Sequence, residues 1–330
     1  MTKTDIVRKF ITDNPKIKDK KEIARQVLKL HPEFGDIDKA RSVVRSVTGS
    51  NGKHKRKALT DPDLTKFYYN GFEKWANENL NTEPYPWNEP FIIPTSIKEL
   101  NCIADLHSVH LDWRVMQSFL KKTKNKEALL INGDLLDSES LSRHLKGHNL
   151  IEYDKELDLA YDILNKLKSE FTHIYFKEGN HDFWLERYLL TNAREIFRLR
   201  GIGLKELLKL GELGIHHIHN LKYWTYGDLD GVHGHEFPGF GMGKFPSVGL
   251  LDKWQTFRGA YDVKIFCSHS HKEDKTIGKK SKDGKFGQSW VGPAMCRKSP
   301  HYAPYSGWDL GWNNFKINND GLTEVYTTKV

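Results

Sequence analysis

Cysteine is scarce in this chain. Cys102, Cys267 and Cys296 are the three present and form no CxxC pair, which excludes a disulfide framework and makes a reducing cytoplasm the expected home. Apolar runs are short, and none approaches the roughly 20 residues that span a bilayer. No amphipathic membrane-surface helix stands out either, so no membrane partner is expected. Met1-Thr2-Lys3-Thr4-Asp5 lacks the apolar stretch of a signal peptide. Internal repeats and low-complexity tracts are missing. Gly239-Phe240-Gly241-Met242-Gly243-Lys244 is rich in glycine, but without phosphate-loop spacing or a following Ser or Thr it reads as a loop.

What is present suits a folded protein. The 330 residues are 38% hydrophobic and 12% aromatic, enough for one large core and a small second domain. The net charge of +8 is unevenly placed: residues 1–60 hold 16 Lys and Arg against 7 Asp and Glu, and the rest hold 35 against 36. A local excess of this kind favours a polyanionic partner; a solvated basic tail is the plain alternative.

Residues 1–48 read as a basic three-helix module. Ile6, Val7, Phe10 and Ile11 share one face of a first helix that runs up to Asn14-Pro15. Ile23, Ala24, Val27, Leu28 and Leu30 mark a second, ended by His31-Pro32. Asp36 caps a third carrying Ile37, Ala40, Val43, Val44 and Val47. The pattern is similar to a helix-turn-helix, whose third helix would offer Lys39, Arg41 and Arg45 to nucleic acid; a protein-docking module fits the same pattern. Residues 49–97 read as linker and lead-in. Lys53, Lys55, Arg56 and Lys57 form a basic run that could grip phosphates, and a helix is expected near 63–79.

From residue 98 to 330 strands and helices alternate, the mark of an α/β domain. Strands are expected near 100–105, 127–132, 172–177, 215–219, 230–233 and 263–267. Helices are expected near 112–122, 152–169, 183–199 and 247–258. Three further strands fall near 287–291, 313–318 and 322–329, the last two joined at Asn319-Asp320-Gly321. Polar clusters stand where apolar strands end: Asp105-Leu106-His107, Gly133-Asp134-Leu135-Leu136-Asp137, Gly179-Asn180-His181-Asp182, His233-Gly234-His235 and Ser268-His269-Ser270-His271. Ligands of α/β sheets gather outside the carboxyl ends of strands. Carboxylate, amide and imidazole groups suit a pair of divalent transition metals, manganese first, with iron, zinc or nickel as alternatives.

These clusters, in this order, resemble the calcineurin-like metallophosphoesterase superfamily, whose signature is D-x-H, GD-x-x-D, GNH-D/E, H-G-x and G-H-x-H. The resemblance covers about residues 98–330. It implies a four-layer αββα sandwich behind the all-α N-terminal module. It also implies two metal ions, one held by Asp105, His107, Asp134 and His271, the other by Asp134, Asn180, His233 and His269. A metal-bridging hydroxide would attack the phosphoester, and His181, held by Asp182, would protonate the leaving oxygen. His235 could stand in for His233 or face substrate. Ser268 stands where most members have Gly. Arg187, Arg143 and His144 are further candidates for substrate contact, and His216, His217 and His219 are expected to be structural or exposed.

The substrate is less legible. Asp137 stands where purple acid phosphatases carry a metal-binding Tyr, and Ser138-Glu139-Ser140 replaces the Arg-Gly that follows this motif in phosphoprotein phosphatases. The basic module tips the expectation toward a nucleic-acid phosphodiesterase or nuclease. A phosphomonoesterase of phosphoproteins or nucleotides is the alternative. A DNA-binding protein on a non-catalytic scaffold is a third reading, disfavoured by the intact ligand set. A helical module ahead of such an enzyme also resembles arrangements in bacteriophage and mobile-element proteins, which would place the chain in a host cell's cytoplasm.

Overall fold

The computed structural model describes residues 2–48, 89–142, 151–197, 199–237, 239, 244–280, 284–298 and 306–330. The chain divides into two units, Met1–Pro84 and Tyr85–Val330. The expected helix near 63–79 and the basic run at Lys53, Lys55, Arg56 and Lys57 lie outside the described residues, as do Arg143 and His144.

In the first unit the sequence builds three helices, α1 (Lys3–Asp13), α2 (Lys20–Leu30) and α3 (Ile37–Val47). Each start has a side chain that accepts a backbone N–H left free by the first turn: Thr2 from Asp5, Asp19 from Lys21 and Asp36 from Lys39. Val7, Ala24, Val27, Ala40 and Val44 meet in one apolar core. Phe34, on the 3-10 turn Pro32–Phe34, fills its centre fully buried. Burying a side chain of this size contributes about 1.5–3 kcal/mol.

The second unit holds two six-stranded sheets. One runs in the order β12 (Thr323–Lys329), β11 (Gly311–Ile317), β2 (Glu99–Ile103), β3 (Ala128–Asn132), β4 (His173–Lys177), β5 (His216–Ile218). The other runs β1 (Phe91–Ile92), β6 (Trp224–Tyr226), β7 (Leu229–Gly231), β8 (Lys264–Cys267), β10 (Gln288–Val291), β9 (Asp274–Ile277). β2 to β5 are parallel, and β7, β8 and β10 are parallel in the second sheet.

Strand alternation assigns the layers. Leu100, Cys102, Leu130 and Tyr175 face Trp224, Tyr226, Phe266 and Trp290 in a core between the sheets. The neighbouring residues Ile103, Leu129, Ile131, Ile174 and Phe176 point the other way. They meet Val115 and Phe119 of α4 (Trp113–Lys122) and Ala160, Leu164 and Leu167 of α5 (Tyr153–Glu170). On the far side Ile265, Cys267 and Val291 pack on Leu250, Leu251 and Trp254 of α9 (Pro246–Arg258). The layers are therefore helix, sheet, sheet, helix: the expected αββα sandwich.

Some elements differ from expectation. The helix expected over 183–199 is broken at Ala193, where φ −149° and ψ 52° leave the helical region, giving α6 (Trp184–Asn192) and α7 (Arg194–Phe197). A one-turn helix, α8 (Leu204–Leu207), follows. The stretch read as lead-in contributes β1, and β6 and β9 are further strands that the pattern did not announce. All three are short, and β1 and β9 are edge strands, where alternation is a weak signal.

Candidate metal centre

Each polar cluster leaves the carboxyl end of a parallel strand: Asp105 and His107 after β2, Asp134 after β3, Asn180 and His181 after β4, His233 after β7, His269 and His271 after β8. Because both sheets run their central strands toward the same end, five loops converge there. The turns are tight. Asp105, His107, Asp134, His269 and His271 all take left-handed conformations, with φ from 41° to 65°. Each costs on the order of 1 kcal/mol, so the strain is concentrated on the residues that would bind metal. Gly133 (φ 92°) and Gly179 keep the approach open, since a Cβ would overlap the His233 ring at the first and Asp134 at the second.

The polar atoms that meet here are mutually close. His233 Nε2 lies 3.1 Å from Asp134 Oδ2 and 4.0 Å from Asp105 Oδ1. His271 Nε2 lies 3.1 Å from Asp105 Oδ1, and His107 Nε2 3.9 Å from Asp134 Oδ2. The His269 ring stands 5.2 Å from that of His233, and its backbone N–H donates to Asp105 Oδ2 at 3.2 Å. Asp105 Oδ1, His107 Nε2, Asn180 Oδ1 and His233 Nε2 are buried without a hydrogen-bond partner. Buried polar atoms left without a hydrogen bond are costly. Four converging from separate loops are what a cation-binding cradle requires, so the donor set fits divalent metal.

Hydrogen bonds fix the ring orientations. His107 Nδ1 donates to Asp137 Oδ1 at 2.9 Å, and His233 Nδ1 donates to the Asn132 carbonyl at 2.8 Å. A carboxylate and a carbonyl only accept, so each proton sits on Nδ1 and Nε2 offers its lone pair inward when the ring is neutral. Asn132 in turn donates to Ser268 Oγ (2.9 Å) and the Val232 carbonyl (2.8 Å), and accepts from Trp224 Nε1 (2.8 Å). The hydroxyl at Ser268 thus has a definite partner.

Charge in the site is strongly coupled. Burial pushes Asp134 up, but His233, His181 and His107 around it hold the carboxyl well below its usual range. Burial pulls His233 down; Asp134 and Asp105 overcome it and hold the ring at about 10. Burial, joined by His233, takes His269 down to about 4. The same burial opposes His181, yet Asp134 and the Asp137 carbonyl leave it raised.

One expectation is corrected. Asp182 does not hold the His181 ring. Its carboxylate accepts the backbone N–H groups of Gly179 (2.8 Å), Leu136 (2.9 Å) and Leu135 (3.4 Å), amides that the two turns leave unpaired. Burial, with Asp134 nearby, raises its pKa to about 7. His181 Nδ1 instead donates to the Asp137 carbonyl at 2.6 Å, and its backbone N–H donates to Asp134 Oδ1 at 2.9 Å.

The His235 ring stands 5.5 Å from that of His233, and burial takes its pKa down to about 3. Arg187 lies on α6 with its guanidinium 5.9 Å from the Trp184 ring centre. His217 Nε2 pairs with Glu178 Oε1 at 2.8 Å, a structural contact on β5. On α3 in the other unit, Arg41 and Arg45 are one turn apart on one face. Lys39 is turned away from them and pairs with Asp36 at 3.0 Å.

The sequence reading did not assign four supporting residues. Asp137 orients both His107 and His181. Glu156 accepts Asp137 N–H (2.5 Å) and Ser138 N–H (3.1 Å), tying the second cluster to α5. Its signal was its place in the buried stripe with Ala160, Leu164 and Leu167. The fully buried Lys177 meets Glu236 Oε1 at 2.9 Å, and Glu236 accepts the backbone N–H groups of His233 (3.1 Å) and Gly234 (2.7 Å).

Neither a sequence-family profile nor a curated protein matches the chain. Among solved structures, it is similar to Vps29 from Chaetomium thermophilum (11% identity, 71% of this chain and 95% of that one, TM-score 0.34). It is also similar to a protein serine/threonine phosphatase from Saccharomyces cerevisiae (16%, 80% and 90%, TM-score 0.34). A metallophosphoesterase from Sphaerobacter thermophilus is similar at 14% identity over 70% of this chain and 88% of that one, with a TM-score of 0.38.

Proposed function

We propose that this chain is a metal-dependent phosphoesterase of the calcineurin-like type, acting as a phosphodiesterase on nucleic acid. The observation that carries the first part is the convergence of orphaned carboxylate, amide and imidazole atoms from separate loops at one end of both sheets. Asp105, His107, Asp134 and His271 would hold one cation; Asp134, Asn180, His233 and His269 would hold the other, with manganese the best match to this donor set. Such a pair, when bound, would supply positive charge against the phosphate's negative oxygens and would lower the pKa of water at the site.

The chain's own residues do the rest. His181 stands beside the cradle, its ring 4.7 Å from that of His107. With Nδ1 committed to the Asp137 carbonyl, the Nε2 proton of its imidazolium is the one available to a leaving oxygen. Asp134 meets His233 through Oδ2 and the His181 backbone N–H through Oδ1, so one carboxylate links the acid to the cradle. The nucleic-acid assignment rests on the basic excess of residues 1–60: a tethered polyanion-binding segment raises the local concentration of scissile phosphates.

The test is Mn²⁺-dependent hydrolysis of end-labelled single- and double-stranded DNA. Cleavage should fall about 10²–10⁴-fold in His181→Ala, with its metal content unchanged. Absence of cleavage by protein holding two metals overturns the nucleic-acid assignment. If nucleotides and phosphopeptides also resist, the phosphoesterase reading fails.

A further inference from the structure

A cavity of about 370 Å³ opens between α6 and the turn after the second cluster, within the usual range for small-ligand pockets. Trp184, Arg187 and Tyr188 supply two aromatic rings and a cation, and Ser140, Ser142 and Asn192 supply polar groups. The Trp184 ring centre is 6.0 Å from that of His181, tilted by 34°, and Arg187 stands over the same indole. Trp184 is half-buried, while Arg187 and Tyr188 are exposed although neither is needed by the core.

We propose that this cavity is the leaving-group subsite and that it binds a nucleobase. The inference rests on the phosphoesterase reading, since it takes His181 to mark the leaving side. A group stacked on Trp184 would hang from the oxygen that His181 protonates. An aromatic face is sequence-tolerant for bases, and the hydroxyl and amide rim suits the donor- and acceptor-rich edge of a base better than the bare ring of a phosphotyrosine. Arg187 adds a cation for an adjacent phosphate or for stacking. Trp184 and Arg187 are therefore specificity-determining residues.

The test is calorimetric binding to the metal-loaded full chain, using a dinucleotide whose scissile oxygen is replaced by methylene. Its counterpart lacks the base on the leaving side. The base-bearing probe should bind about tenfold more tightly, a gain typical of one stacked base. Trp184→Ala should abolish that difference, and Trp184→Phe should keep part of it. Equal affinity of the two probes for the wild-type chain overturns the subsite while leaving the phosphoesterase reading intact. Tighter binding of O-methylene phosphotyrosine than of the base-bearing probe also overturns it, in favour of a protein substrate. Failure of the phosphoesterase reading shows separately, as loss of all metal-dependent turnover on DNA, nucleotides and phosphopeptides.

Discussion

At the scale of single residues, Asp137 connects two tasks that the sequence lists apart. Its carboxylate sets the tautomer of His107, and its carbonyl holds His181. Substituting its side chain separates them, because the carbonyl survives. Asp137→Ala should weaken metal binding about 10–100-fold, as loss of a ligand's orienting partner does elsewhere. Saturating metal should restore much of the turnover, because the His181 contact is retained. Metal titration alongside kinetics at saturating Mn²⁺ checks this; unaltered metal affinity would show that His107 needs no orienting partner. The left-handed turns at Asp105, His107, Asp134, His269 and His271 belong to the same scale. Asp and His tolerate that region better than branched residues do, so these residue types also suit the backbone they sit on.

At the scale of elements, caps and periodicity act together. Asp36 accepts the Lys39 N–H at 2.8 Å, and that bond, joined by the Lys39 side chain, lowers its carboxyl from the usual aspartate range. A depressed carboxylate contributes stability above its unfolded pKa, and that contribution disappears as pH falls through the folded value. Amide exchange in the first turn of α3 should therefore quicken as pH drops below about 4 relative to the middle of the helix. Asp36→Ala should show the faster opening already at neutral pH; identical protection in both chains would remove the cap's role. Elements with a strong period were legible in the sequence. The buried face of α3 and the fully buried β3 are examples, and the site clusters were legible because they follow such strands. β6 was not, since Trp224-Thr225-Tyr226 is three residues long and is held by its neighbours. Asp182 was misassigned for a related reason. Adjacency in sequence does not say whether a carboxylate meets a ring or the unpaired amides of two turns.

At the scale of the whole molecule, charge is partitioned. The basic excess lies in residues 1–60, and the remainder is near neutral. If the first segment engages phosphates, removing residues 1–60 should weaken DNA binding and flatten its dependence on salt, since each lost phosphate contact removes about one unit from the salt slope. Cleavage of short substrates should persist. Unchanged binding after the deletion would leave the excess as a solvated tail or a protein-docking surface.

Whether this chain assembles two metal ions around Asp134 is decided by Mn²⁺ stoichiometry, measured by titration of the full chain and of Asp134→Asn. Two equivalents per wild-type chain, with both weakened together in the variant because Asp134 would serve each cation, is the predicted result. One equivalent or none in the wild type, or two equivalents bound equally tightly by Asp134→Asn, would contradict it.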